Sequence, residues 1–153
     1  MSSTRSGLVL LDKPSGITSF QAIAAVKRRL GNARAGHTGT LDRFATGLLL
    51  VLTGSLTPLA RLFTELDKSY RAVFTFGRST DTLDPEGQWV AEGQIPSRER
   101  VEQALRQFTG TIEQIPPEYS AIHVAGKRAY ELSREGKKPG LKPRTVVIHR
   151  LEI

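Results

Sequence analysis

Leu48-Leu49-Leu50-Val51-Leu52 decides how this chain is to be read. A continuous apolar run this short predicts a strand buried on both faces rather than a helix, which would need a longer segment and a periodic stripe. The neighbouring segments take their roles from it.

Directly before the run stands Arg34-Ala35-Gly36-His37-Thr38-Gly39-Thr40-Leu41-Asp42-Arg43-Phe44-Ala45-Thr46-Gly47, a polar loop punctuated by glycines. Gly36, Gly39 and Gly47 open backbone conformations closed to other residues, and His37, Thr38, Thr40 and Asp42 bring acid, base or nucleophile chemistry. The loop lacks the Gly-x-x-x-x-Gly-Lys-Ser/Thr spacing of a phosphate-binding loop and the Gly-x-Gly-x-x-Gly of a dinucleotide site. His37 and Asp42, with no cysteine or second histidine nearby, make a poor metal site. On chemistry alone, an Asp42 that caps a turn or helix through its side chain is the stronger reading and a catalytic Asp42 the weaker.

Upstream, residues 7–11 form a short apolar run stopped by Asp12-Lys13-Pro14-Ser15-Gly16, a strand entering a turn. A helix follows, capped by Thr18 or Ser19 and ended by Gly31. Its apolar stripe is Phe20, Ile23, Ala24, Val26 and Leu30, and Lys27, Arg28 and Arg29 sit near the last turn, where cations suit the dipole.

Downstream, residues 56–66 read as a helix with Pro58 tolerated in its first turn. Residues 70–76 alternate, which places Tyr70, Ala72, Phe74 and Phe76 in one core-facing row. Residues 77–87 are polar and turn-rich; their acids lack EF-hand spacing, and Thr80, Asp81 and Asp84 read as turn-ordering residues. A short strand at 88–91 precedes a helix capped by Ser97, with Val101, Ala104, Leu105 and Phe108 at i, i+3, i+4, i+7 and Gly110 as its stop. Pro116-Pro117 forces an extended segment leading into a strand. The basic, proline- and glycine-broken run at 136–144 reads as a mobile surface loop able to order on a phosphate backbone, and residues 145–153 alternate as a strand.

Together these segments predict a mixed α/β (α+β) fold with a mixed, largely antiparallel sheet flanked by helices. The 153 residues are most simply one domain, without internal repeat or linker. The absence of cysteine excludes disulfides and cysteine-based metal sites and fits a reducing compartment. Residues 1–6 are short and polar, and no apolar run approaches the roughly 18 residues of a membrane span, so the expectation is a cytoplasmic protein without signal peptide or membrane segment.

The net charge of +7 is unevenly spread. Residues 1–36 carry six Lys or Arg against one acid, residues 37–125 eight against eleven, and residues 126–144 seven against two. Two basic blocks around an acidic middle are the electrostatic footprint of a nucleic-acid binder or, equally on charge alone, a solubilising surface.

Five ordered stretches then point to one family. They are Leu10-Leu11-Asp12-Lys13-Pro14-x-Gly16; Gly36-His37-Thr38-Gly39-Thr40-Leu41-Asp42 with Ala45-Thr46-Gly47; Asp67-Lys68-Ser69-Tyr70; Gly77-x-x-Thr80-Asp81-Thr82-x-Asp84-x-x-Gly87; and Gln114-Ile115-Pro116-Pro117-x-Tyr119-Ser120-Ala121 with Gly126-Lys127-Arg128-x-Tyr130-Glu131. In order and spacing, over nearly the whole chain, they resemble the TruB-type tRNA pseudouridine-55 synthases. Each motif is modest alone, and the set is specific.

That resemblance implies a pseudouridine-synthase-like fold and isomerisation of a T-loop uridine to its C-glycoside, with no metal or cofactor. Asp42 matches the family's essential aspartate, a carboxylate that forms and releases a covalent adduct with sugar or base. His37 matches the histidine that holds the rearranged RNA, and Tyr70 the aromatic residue that stacks on the flipped base. Lys13, Pro14, Gly36, Gly39, Thr40, Gly47 and Asp81 are expected to shape loops, and Arg43, Lys127, Arg128, Lys137 and Lys138 to contact RNA. The partner implied is the T-arm of tRNA, with no membrane, for a protein monomeric when complete.

Two positions depart from the family pattern: Arg43 stands where proline is usual and His123 where lysine is usual. The family's catalytic domain continues with a Gly-Thr-Tyr-Ile-Arg-like segment, absent here, which leads to the expectation of an N-terminal part of a single catalytic domain lacking its second half and its RNA-binding tail. A second expectation follows: a non-catalytic RNA-binding or RNA-folding module, or an inactive fragment.

Overall fold

In the computed structural model, which describes residues 6–117, 123, 124 and 126–153, the apolar run lies inside an antiparallel ladder. The first of two compact units ends at Ala72 and the second begins at Val73. The first unit contains β1 (Gly7–Lys13), α1 (Ser19–Arg29), β2 (Ala35–His37), β3 (Gly47–Thr53), a 3-10 turn (Gly54–Leu59) and α2 (Ala60–Thr64). β3 is the middle strand, between β1 and β2, and both pairings are antiparallel. β1 and β3 pair along their full length, from Gly7 opposite Thr53 to Lys13 opposite Gly47.

Side-chain alternation then divides the sheet into two faces. Leu49 and Val51 of β3 pack with Ala22 and Ile23 of α1, and Val9, Leu11, Ile17, Val26, Ala35 and Leu41 close around them. The other face is covered only in part. Leu52, next to the 3-10 turn, is buried, whereas Leu8, Leu10 and Leu48 are exposed. The strand expected to be buried on both faces is therefore covered on one, because a single helix lies against the sheet.

α1 begins with a capping box: the Thr18 hydroxyl accepts from the Gln21 amide at 3.2 Å, and the Gln21 side chain accepts from the Thr18 amide at 2.8 Å. Such caps contribute about 1 kcal/mol. The inward stripe differs from the expected one. Ser19, Ala22 and Ile23 are buried, with Val26 packed beside them, while Phe20 is 77% exposed. The spacing 19, 22, 23, 26 is as helical as the one anticipated, and Ser19 turns inward because its hydroxyl meets a loop backbone, described below.

The expected helix at 56–66 is split into the 3-10 turn and α2, with Pro58 inside the 3-10 part. Residues 70–76 join no ladder, and Tyr70, Val73, Phe74 and Phe76 are exposed. Alternation produces a strand only beside a free edge, and among the described residues none takes this segment. The core-facing row is thus corrected to an exposed extended segment.

The second unit contains β4 (Arg78–Thr80), β5 (Trp89–Glu92), α3 (Arg98–Gln107), β6 (Gly110–Gln114), β7 (His123–Val124), β8 (Lys127–Arg128), α4 (Ala129–Arg134) and β9 (Arg144–Ile148). β4 pairs with β5, β6 with β9 and β7 with β8, all antiparallel. The mixed α/β class with antiparallel sheets holds, although the strands form several small sheets instead of one. β2, β4, β6, β8 and α4 were not anticipated: each is short and sits where glycine or charge obscured the periodicity. The strand entry expected at Ala121 and Ile122 lies outside the described residues.

Candidate active site

Strand alternation puts Lys13 on the same face as Val9 and Leu11, under α1, at the last rung of the ladder opposite Gly47. Lys13 is consequently 0% exposed. Its ammonium meets three carbonyl oxygens, those of Pro14 at 2.9 Å, Ile17 at 2.8 Å and Arg43 at 3.3 Å. A lysine has three N–H donors, and here each finds an acceptor. Burying that charge is tolerable only because the backbone replaces its water.

The third of those carbonyls is the one that follows Asp42. The same Arg43 carbonyl also accepts from the Gly16 amide at 2.9 Å, which needs the left-handed φ of +84° that Gly16 adopts. The Arg43 side chain returns the contact, its Nε donating to the Gly16 carbonyl at 3.0 Å. Ser15 donates to the Phe44 carbonyl at 2.9 Å. On the other side of Asp42, the Ser19 hydroxyl donates to the Leu41 carbonyl at 3.0 Å and accepts from the Leu41 amide at 2.9 Å.

The backbone is therefore pinned on both sides of Asp42, yet the Asp42 carboxylate accepts no hydrogen bond from any described residue and is exposed. This removes the capped-turn reading of the side chain. An immobilised Cα bearing an unsatisfied carboxylate is an arrangement suited to a nucleophile or base, because the positional entropy has been removed before a substrate arrives. Sequence reasoning missed Ser19; its place in an apolar helical stripe was the signal.

His37 ends β2, half-buried, and its Nδ1 is buried with no partner among the described residues. Thr38 is buried and its amide donates to the Leu50 carbonyl, while Gly39 is half-buried and Thr40 exposed. Gly36 pairs with Leu52, and Gly47 opens β3 at φ +118°. Pro14 is exposed. Tyr70, also in the first unit, is 74% exposed.

The second unit holds another polar loop with carboxylates. There Asp84 accepts from the Thr82 hydroxyl at 2.7 Å and the Glu86 amide at 2.9 Å, Asp81 accepts from the Gln88 amide at 2.8 Å, and Thr80 donates to the Asp84 carbonyl at 2.7 Å. These acids build their own turn. Of the basic residues anticipated at an RNA surface, Lys127 and Arg128 form β8, Lys137 is paired with Glu135 at 2.8 Å, and Lys138 is exposed. Among the described residues no group of three or more His, Cys, Asp or Glu could hold a metal, and no helix is long and apolar enough to cross a membrane.

A model of the N-terminal domain of the TruB family pseudouridylate synthases matches residues 27–153. The chain is 51% identical over 146 residues to tRNA pseudouridine synthase B of Treponema pallidum, covering 95% of this chain and 40% of that protein. It is 44% identical over 149 residues to the Aquifex aeolicus protein of the same name, covering 96% and 52%, and 43% identical over 147 residues to that of Borreliella burgdorferi, covering 95% and 52%. The chain thus spans 40% to 52% of the length of these relatives. Among solved structures, a chain of a Cbf5-Nop10-Gar1 complex aligns with a TM-score of 0.57 and 25% identity, over 96% of this chain and 36% of that one.

Proposed function

The chain belongs to the TruB family of pseudouridylate synthases, and on that premise we propose that it carries the nucleophile-bearing part of a tRNA pseudouridine-55 synthase, with Asp42 as the nucleophile. The observation that carries this reading is the contrast within one loop: a carboxylate left unbonded between two backbone segments held by Lys13, Gly16, Arg43 and Ser19.

The reaction is an isomerisation, so the product has the composition of the substrate, with one proton exchanged with water. The uridine is flipped from the T-loop, where stacking hides its sugar and base edges. Asp42 adds to the ribose or to the base, the bond from N1 to the ribose breaks, the base turns, and C5 is joined to the ribose. The C5 proton passes to water and N1 gains a proton as the carboxylate is released, so no oxidant or co-reactant is required. Tyr70, whose ring is exposed, stacks on the extruded base, an interaction of about 1–3 kcal/mol. His37 holds the displaced RNA, and the basic residues of the second unit meet phosphates.

The test is release of tritium from a T-loop RNA labelled at uridine C5. Release that Asp42→Asn abolishes supports the nucleophile assignment; release that survives the substitution overturns it. Binding of tRNA with no release by the 153-residue chain supports the other reading, an RNA-binding module without turnover.

A further inference from the structure

Phe20 is a large aromatic side chain at the start of α1 that the core does not use. Ile23, Ala24 and Lys27 follow it at i+3, i+4 and i+7, so the four residues form one stripe of the helix. That stripe borders a groove of about 360 Å³, which is lined on its other side by Gly36 and His37 of β2. Lys27 has no ion-pair or hydrogen-bond partner for its side chain among the described residues, and His37 leaves Nδ1 buried and unpartnered. An aromatic face, a free ammonium and the edge of the His37 residue thus border one groove.

We propose that the groove between α1 and β2 is a subsite for an unpaired nucleotide of the RNA, with Phe20 stacking on the base, Lys27 meeting its phosphate and His37 forming the opposite wall. Single-stranded RNA is recognised in this way, by aromatic stacking beside cations. Charge favours this occupant: Lys27, Arg28 and Arg29 stand in the last turn of α1, which carries no acid. Phe20 and Lys27 stand about 10 Å apart along the helix axis, a span that one nucleotide bridges from base to phosphate. The assignment rests on the RNA reading above and adds a second base position to it.

A T-arm hairpin carrying 2-aminopurine at successive loop positions tests it by fluorescence titration. Phe20→Leu, which keeps an apolar side chain, is expected to weaken binding about five- to hundred-fold and to remove the quenching at one loop position, while Phe20→Trp restores both. Lys27→Ala weakens binding most at low salt. Because Phe20 is exposed, thermal unfolding stays unchanged, which separates the effect from misfolding. Normal binding by Phe20→Leu, or no RNA binding by the wild-type chain, overturns the subsite. The reaction itself is judged separately: tritium release lost in Asp42→Asn upholds the isomerase reading even when Phe20→Leu binds normally.

Discussion

Two loops of similar composition, one at 36–47 and one at 77–88, use their carboxylates in opposite ways. In the second, Asp81 and Asp84 accept amide and hydroxyl hydrogen bonds and become the framework of the turn. In the first, the framework comes from elsewhere, from Lys13, Ser15, Gly16 and Ser19, and Asp42 contributes only its backbone. A carboxylate is available for chemistry when the fold does not need it. Motif content cannot make this distinction, since both loops combine glycine, threonine and aspartate. What separates them is which atoms satisfy the backbone.

The comparison can be broken in several ways, and the largest effect is expected at its centre. Asp42→Asn should lower tritium release by at least about 10³-fold while leaving the unfolding midpoint where it was, because no hydrogen bond from a described residue is lost. A fall in stability equal to that of a structural aspartate would erase the contrast. Next in size is Lys13→Met, which strands carbonyls in a dry site and should cost about 3 kcal/mol in urea unfolding, together with a loss of turnover as the Arg43 carbonyl loses one of its two donors. Gly87→Ala probes the other loop. A Cβ there would collide with the Thr82 hydroxyl and the Asp81 carboxylate, so destabilisation of about 2 kcal/mol is expected. Gly39→Ala in the first loop meets no atom within 4 Å and should leave the unfolding curve unchanged.

The smallest effect concerns pH at α3. Hydrogen bonds from its own backbone amide and then from the Ser97 hydroxyl hold the Glu99 carboxyl below the usual range. The stabilisation is present above the ordinary glutamate pKa and is lost as pH falls through the lowered value. The protection of first-turn α3 amides, taken relative to the intrinsic exchange rate at each pH, should therefore fall on acidification through that window, and Glu99→Gln should remove the dependence.

The sequence carried the local chemistry further than the packing. The strand over residues 7–11, which the structure extends to Lys13, the helix beginning at Ser19 and the helix capped by Ser97 were legible because a strand, a cap and a stripe are written within a few residues. Phe20 was misplaced because two overlapping stripes, one through Ser19 and one through Phe20, fit α1 equally well, and only the Leu41 backbone decides between them. Residues 70–76 alternate as a strand should, but pairing is a property of a neighbour, which alternation does not encode. The same limit hid the free state of Asp42: a side chain's lack of partners follows from long-range contacts, here between residues 13–19 and 41–44.

Lys13 also governs the order in which this region can assemble. Its ammonium cannot leave water until the carbonyls of Pro14, Ile17 and Arg43 are there to receive it. Burying the end of β1 therefore goes together with closing the Asp42 loop, and Ser19 ties the start of α1 to the same loop. The loop's shape is thus inherited from folding of the core, and the backbone beside Asp42 is placed by the same contacts that let the Lys13 charge leave water.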